Sequence, residues 1–301
     1  MKSVIECVPN ISEGADAGRV AEIVEAVRSA AGARLLDVSS DASHNRSVLT
    51  MVGDADGIRA AVEALFAAAV SRIDLTRHKG EHPRMGAVDV VPLIPIRGVT
   101  MEQCIALSRE IGATIGQRWG IPVYLYEESA SAEGRRNLAE IRKGEFEGFF
   151  RKMQDPVWRP DFGPPAPHAT AGVVAVGARA PLIAYNINLG TRDLAVADRI
   201  AKAIRHIGGG FRYVKAMGVE LADRGQVQVS INMTNYKKTP LHRVFECVRS
   251  EAERFGVPIV ASEIVGLTPA DALFAAAEHY LRLESPPGNQ VLEMKLIESS
   301  E

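Results

Sequence analysis

Arg77-His78-Lys79-Gly80-Glu81-His82-Pro83-Arg84-Met85-Gly86 stands between an alanine-rich helical pattern and an apolar run, Ala87 to Ile96. Upstream, Ile58, Val62, Leu65, Phe66, Ala69 and Ile73 recur on one face of a long helix. Downstream, Val88 to Ile96 has the β-branched content of a strand. Gly80, Pro83 and Gly86 break regular structure between them, so the stretch is a loop that turns a helix into a strand. Its ten residues hold two histidines, three basic groups and one carboxylate. Loops carried on a rigid scaffold are where chemistry is commonly placed.

Working outward, Val4 to Val8 is a first strand, and Pro9-Asn10-Ile11-Ser12-Glu13-Gly14 a polar loop. Val20, Ile23, Val24 and Val27 mark a helix closed by Gly32. Strands Arg34 to Val38 and Ser47 to Val52 flank the polar turn Ser39 to Arg46. Pro92 and Pro95 predict that the strand after the histidine loop is an edge strand or bulged. A helix from Met101 to Trp119 leads to a strand, Pro122 to Tyr126, and a charged helix is expected from Ala132 to Met153. Asp155 to Pro167 is too proline-rich for helix or sheet. Trp158 and Phe162 within it favour burial, so it reads as an ordered segment joining two domains.

The pattern then restarts. Leu182 to Leu189 is a strand, and Asp193 to Ile207 a helix stopped by Gly208-Gly209-Gly210. Tyr213 to Leu221 and Gln226 to Met233 are strands around Ala222-Asp223-Arg224-Gly225. Val227, Val229 and Ile231 alternate with polar residues, which leaves one face solvated or functional. Pro240 to Phe255 is a helix and Pro258 to Ile264 a strand. Thr268-Pro269-Ala270-Asp271 starts a helix to Leu283, and Val291 to Ile297 a final strand. Each half reads strand–helix–strand–strand–helix–strand, the ferredoxin-like order. The fold class is α+β, two ferredoxin-like sheet-plus-helix domains in tandem, residues 1–178 and 179–301.

Composition narrows the function classes. The 301 residues carry 35 basic and 37 acidic side chains, so no global field favours nucleic acid. No apolar run reaches the length of a membrane span, and no membrane partner is expected. Cys7, Cys104 and Cys247 lie far apart, with neither zinc spacing nor a disulfide framework, which fits a reducing cytoplasm. His78 and His82 have the four-residue spacing of a helical metal pair, but Gly80 and Pro83 oppose a helix and no third ligand is near; no metal is expected. No Gly-x-Ser-x-Gly elbow and no phosphate-cradling glycine loop occurs. What remains is His82 as a general acid–base, because imidazole exchanges protons near working pH.

Several blocks resemble the glutamate formiminotransferase family, in family order over nearly the whole chain. They are Glu6 to Gly14, Asn45-Arg46-Ser47, Arg77 to Asp89, Pro95 to Thr100, Pro122 to Tyr126, Asp161-Phe162-Gly163-Pro164, Ala184 to Leu189 and Val265-Gly266-Leu267. The resemblance implies transfer of the formimino group from N-formimino-L-glutamate to tetrahydrofolate as co-substrate. The products are 5-formiminotetrahydrofolate and glutamate, late in histidine degradation. It places the catalytic base on His82. It also implies a folate groove between two similar subdomains, lined in part around Asp161, Phe162, Gly163 and Pro164, and a cytoplasmic homodimer. The vertebrate enzyme carries a fused cyclodeaminase domain; the sequence ends at Glu301, and that second activity is not expected. In Asp37-Val38-Ser39-Ser40-Asp41, serine stands where the vertebrate pattern has a second acid, and Asp41 offers a substitute from a shifted position.

The remaining candidates follow from the chemistry. Asp37, Asp41 or Glu13 could hold an amidinium cation. Arg46, Arg77, Lys79 and Arg84 could pair with substrate and folate carboxylates. Asn186 and Asn188 share a strand face and could read a pterin. Asn10, Asn45 and His78 complete the substrate-binding set, although Asn10 and Ser12 are equally turn formers. Two other readings stand beside the transferase. One is a folate enzyme using a formyl donor, such as N-formylglutamate or 5-formyltetrahydrofolate. The other is a non-catalytic folate-binding protein, for which an acid–base loop has no use.

Overall fold

In the computed structural model, which describes residues 3–80 and 83–299, the chain opens on one interrupted strand. β1 (Val4–Cys7) and β2 (Asn10–Ile11) lie between the same two neighbours. Pro9 cannot donate to a ladder, but its carbonyl accepts from Leu49 N, and the strand resumes after it. α1 (Ala17–Arg28) starts at Asp16, whose side chain accepts from Arg19 N, and buries Val20, Ile23, Val24 and Val27. β3 (Ala33–Asp41) and β4 (Arg46–Gly53) pair antiparallel, and α2 (Ala55–Arg72) is capped by Asp54. β5 (Val88–Arg97) follows the histidine loop. α3 (Met101–Trp119) has a Thr100–Gln103 capping box and ends on Gly120 in the left-handed region. Then come β6 (Val123–Leu125), α4 (Leu138–Arg142), α5 (Glu145–Lys152) and β7 (Val174–Ala178).

These strands form one sheet in the order β3-β4-β1/β2-β5-β7-β6. The pairings among β1 to β5 are antiparallel, and β7 pairs parallel with both β5 and β6. The prolines of β5 do bring bulges, but the strand is interior rather than an edge. Val4 pairs with Arg97 and Ile5 with Pro95, so Ile96 is skipped. Pro92 directs its carbonyl to Val8 N at the β1/β2 break. A residue's N and C=O point to the same side of a strand, so the missing N–H falls where the partner strand is interrupted.

The expected helix from Ala132 to Met153 is broken into short pieces. α4 and α5 are separated at Lys143-Gly144, with Gly144 at φ 94°. Lys152 Nζ rejoins them by donating to the carbonyls of Glu140, Ile141 and Lys143. β7 went unread because its Val-Ala-Val-Gly-Ala run has too little bulk to stand out beside a proline-rich segment. α1, α2 and α3 share the main core of this unit, around Phe66, Leu65 and Ile23. A smaller core of Tyr124, Tyr126, Ile141, Phe149 and Val173 involves α4, α5, β6 and β7.

The second compact unit begins at Ala180. It comprises β8 (Ile183–Leu189), α6 (Leu194–Ile204), β9 (Val214–Leu221), β10 (Gln226–Met233), α7 (Leu241–Arg254), β11 (Ile259–Val265), α8 (Ala270–Leu281) and α9 (Leu292–Ser299). The antiparallel sheet runs β11-β8-β10-β9. Ile183, Ile187, Val227, Val229 and Ile231 pack with Ile200 and Val244 of α6 and α7. The residues between them, Asn186, Asn188, Gln228 and Ser230, belong to the other face. The expected strand from Val291 to Ile297 is instead α9, where Leu292 and Leu296 recur at helical spacing. Pro269 rather than a side chain of Thr268 occupies the cap position of α8. Among the described residues no helix is long and apolar enough to cross a membrane.

Gly177 sits where an added Cβ would lie 2.3 Å from Tyr126 O. Gly177→Ala must push β7 from the β6 segment, an overpacking cost of about 1–3 kcal/mol. Urea unfolding of the variant is expected to show that loss, with an unchanged denaturant slope.

Candidate functional site

The histidine loop is fixed at its downstream end by backbone geometry. Ser12 N donates to Ala87 O, and Ser12 Oγ to Gly86 O at 2.8 Å. Ala87 N reaches Ala171 O, and Val173 N reaches Met85 O. A Cβ on Gly86 would stand 2.1 Å from Val173 O, so this close approach requires glycine. Asp89, 2 % exposed, accepts from Met85 N at 2.7 Å and from Arg142 Nη2 at 2.5 Å.

The upstream end hangs on Asn45, which holds a left-handed φ of 47°. Its Oδ1 accepts from Gly14 N at 2.9 Å and Ala15 N at 3.0 Å, and its Nδ2 donates to Lys79 O at 2.8 Å. His78 Nε2 lies 2.9 Å from Asn45 O, while Arg84 Nε donates to His78 Nδ1 at 3.2 Å. That pair of contacts selects the neutral ring with its proton on Nε2. Arg84 also grips Glu147 with both terminal nitrogens, and Glu145 with one. The hydrogen bond from Arg84 holds the Glu147 carboxyl below its usual range. Lys79 and Arg77 are exposed, and Arg77 lies 3.6 Å from Asp74. Glu81 and His82 lie outside the described residues.

The candidate acids separate clearly. Glu13 is buried; its Oε1 accepts from Gly14, Ala15 and Asp16 N, and its Oε2 is paired with Arg19. Asp41 holds His44 through both backbone and ring. Burial opposes its charge, but those His44 contacts keep its carboxyl below the usual range. Asp37 lies half-buried in mid-β3 with no side-chain partner among the described residues. Arg46 opens β4; burial, then the nearby Arg142 charge, pulls its guanidinium down from its ordinary value. A pocket of about 660 Å³ lined in part by Glu13, Arg19, Arg72, Arg77 and His78 lies beside the Asn45 clip. Its guanidiniums are paired with Glu13, Glu22 and Asp74, so it carries little spare positive charge.

Asp161, Phe162, Gly163 and Pro164 are ordered and make structural contacts within their own unit. Asp161 Oδ2 accepts from Leu125 N and from the buried Arg135. Phe162 bridges Val123, and its ring lies against Gly112 of α3. Gly163 has φ 84° and abuts Ile121 O. Asn10 bonds its own neighbour, Val8 O, as a turn former does. In the second unit Asn186 and Asn188 join a polar cluster. Gln228 Nε2 donates to Asn188 Oδ1 at 2.8 Å and to Glu263 Oε1 at 3.0 Å, and Asn186 Nδ2 lies 3.3 Å from the same Glu263 oxygen.

Sequence reading therefore found Asn45, His78 and Arg84 without seeing that they hold one another. It missed Asp89–Arg142, Arg135 and the Gln228–Glu263 pair. Only the polar alternation of β10 signalled Gln228; nothing local signalled the others. Among the described residues no group of three or more His, Cys, Asp or Glu could hold a metal.

A polar loop is thus locked onto one sheet, and amides gather on another, in an α/β chain of two units. Residues 4–179 match the formiminotransferase domain, N-terminal subdomain, and residues 184–297 match the formiminotransferase domain. The chain belongs to the formiminotransferase family. It is 48 % identical over 298 residues to the glutamate formimidoyltransferase of Streptococcus pyogenes serotype M1, covering 99 % of this chain and 100 % of that protein. The glutamate formimidoyltransferase of Thermoplasma acidophilum is 46 % identical over 299 residues, 98 % of this chain and 97 % of that protein. The formimidoyltransferase-cyclodeaminase of Gallus gallus is 42 % identical over 291 residues, 94 % of this chain but 53 % of that protein.

Asn45→Ala removes the contacts to Gly14, Ala15 and Lys79 and puts alanine in the left-handed region. It is expected to cost about 2–3 kcal/mol in urea unfolding, with Asn45→Gly losing less because the backbone strain is relieved. The Glu147 clasp should be pH-dependent. A carboxyl held below its unfolded value of 4.5 contributes stability above that pH and loses it as pH falls through the folded value. The gap in urea midpoint between the native chain and Glu147→Gln, present near neutrality, is therefore expected to shrink below pH 4.5.

Proposed function

We propose that this protein is a glutamate formimidoyltransferase, moving the formimino group of N-formimino-L-glutamate to N5 of tetrahydrofolate. The observation that carries the reading is the 48 % identity to a glutamate formimidoyltransferase along that protein's whole length. Each unit contains a βαββαβ run with its last strand beside its first, which supports assigning both to the ferredoxin-like class. The free cysteines Cys7 and Cys104, both buried, suit work in a reducing cytoplasm. A homodimer is part of the proposal on family resemblance.

The chemistry needs one proton to change place. N5 attacks the amidine carbon and gives up its proton; the bond from that carbon to the glutamate nitrogen then breaks, and the nitrogen gains a proton. One imidazole can serve as base and then acid, and we assign this to His82. His78 cannot share the task as it stands, since both ring nitrogens are engaged. Of the three acids considered for the amidinium, Glu13 and Asp41 already hold other groups, which leaves Asp37. Arg84 is likewise committed to Glu147, so the exposed Lys79 is the better partner for a substrate carboxylate. We retain Asn186 and Asn188 as folate contacts, and treat Asp161 to Pro164 as a staple that keeps β6 in place.

Steady-state assay of formimino transfer tests this. His82→Ala is expected to lower kcat about 10²–10⁴-fold, with circular dichroism unchanged. His78→Ala is expected to lower activity less and to lower stability as well. A His82→Ala protein with normal kcat sinks the acid–base assignment. Transfer from formyl donors alone sinks the substrate assignment.

A further inference from the structure

The polar face of the second sheet has a feature that packing does not explain. Asn188 and Gln228 are only 4 % and 5 % exposed, yet they sit on β8 and β10 opposite the hydrophobic core. Buried amides need hydrogen-bond partners, and here the partners define a direction. Gln228 uses both amide protons, one on Asn188 Oδ1 and one on Glu263 Oε1. Asn186 adds Nδ2 to the same Glu263 oxygen, and its own Oδ1 faces Ile231 N at 3.4 Å. Among the described residues, Gln228 Oε1, Glu263 Oε2 and Asn188 Nδ2 then have no partner. The cluster offers two acceptors, one of them anionic, and one donor.

We infer that this cluster binds the pyrimidine edge of a pterin, with Glu263 as its anchoring carboxylate and Gln228 as its second acceptor. The inference rests on the folate reading above and names the residues that would recognise the ring. A 2-amino-4-oxo pterin presents two donors, the 2-amino N–H and N3–H, followed by one acceptor, O4. That order complements acceptor, acceptor, donor. The free carboxylate oxygen accepts from the 2-amino N–H in a charge-assisted hydrogen bond, stronger than a neutral one, while Gln228 Oε1 accepts from N3–H. The amidinium of formiminoglutamate also presents an N–C–N donor pair, so it shares the chemistry. It carries no adjacent acceptor, however, and would leave Asn188 Nδ2 unused. The cluster's third group therefore favours the pterin. Recognition at the pyrimidine edge leaves N5, on the other ring, free to react. Glu263 is exposed while its amide supports are buried, the arrangement of a rigid bed beneath a reachable anion.

The test measures binding of tetrahydrofolate to the full chain by calorimetry under anaerobic conditions, together with the KM for formiminoglutamate at saturating folate. Glu263→Gln replaces the outward acceptor by a donor that opposes the 2-amino N–H. It is expected to weaken tetrahydrofolate binding about 10- to 100-fold and leave the KM for formiminoglutamate unchanged. A 2-desamino folate analogue supplies a check that needs no variant. The native chain should bind it about 10-fold more weakly than the parent compound, and Glu263→Gln should barely distinguish the two. A raised KM for formiminoglutamate with unchanged folate affinity puts the amidinium on Glu263 and overturns the inference. Unchanged values for both ligands, with no discrimination against the analogue, make the cluster purely structural and overturn it too. Failure of the native chain to bind tetrahydrofolate at all overturns the transferase reading itself, which separates the two outcomes.

Discussion

A single amide, that of Asn45, ties together segments far apart in the chain. Its left-handed backbone turns the side chain so that the oxygen meets Gly14 and Ala15 while the nitrogen meets Lys79. Its own carbonyl faces His78. Asparagine tolerates that backbone region better than most residues, and its amide supplies acceptor and donor at once. The histidine loop is thereby referred to the start of α1 and to the β3–β4 turn.

A second set of ties comes from α4 and α5. Arg84 is gripped by Glu145 and Glu147, and Asp89 by Arg142, so residues on both sides of Met85 are paired to one short helical segment. The Asp89–Arg142 pair is largely buried, and a buried pair is weak support for net stability, because desolvation offsets most of the attraction. Its clearer role is register: Asp89 falls between the residues of β5 that pair with Asn10 and Ile11. A carboxylate at this irregularity, bonded to Met85 N, sets where the loop ends and the strand begins.

The second unit solves a different problem. Its helices cover one sheet face with apolar contacts, while the other face holds amides that satisfy one another and a carboxylate. Hydrogen bonds among neighbouring amides fix which atom of each points outward, and so give the face a definite pattern of donors and acceptors.

Much of this was legible in the sequence. Helical spacing marked α1, α2 and α3, alternation marked β10, and the motif blocks marked the loop and its family. Those signals are local, and local periodicity reports which face a residue occupies. What the sequence could not give was pairing. Two prolines argued that β5 was an edge strand or bulged; it is bulged at Ile96 but interior, with the missing donor of Pro92 at the break in the neighbouring strand. β7 was invisible because it is built from small residues, and its place between β5 and β6 comes from packing alone. Val291 to Ile297 carries apolar residues compatible with either period, and became a helix. Asn45, His78 and Arg84 could each be named as polar loop residues, but their mutual contacts span sequence separations of 33 and 6 residues. Gln228 and Glu263, 35 residues apart, meet across β8, which lies between their strands in the sheet. Spacing thus determined most of the elements and the loop, and the motif blocks carried the resemblance to the family. Tertiary structure decided which polar groups pair with one another, because hydrogen bonding depends on distance in space.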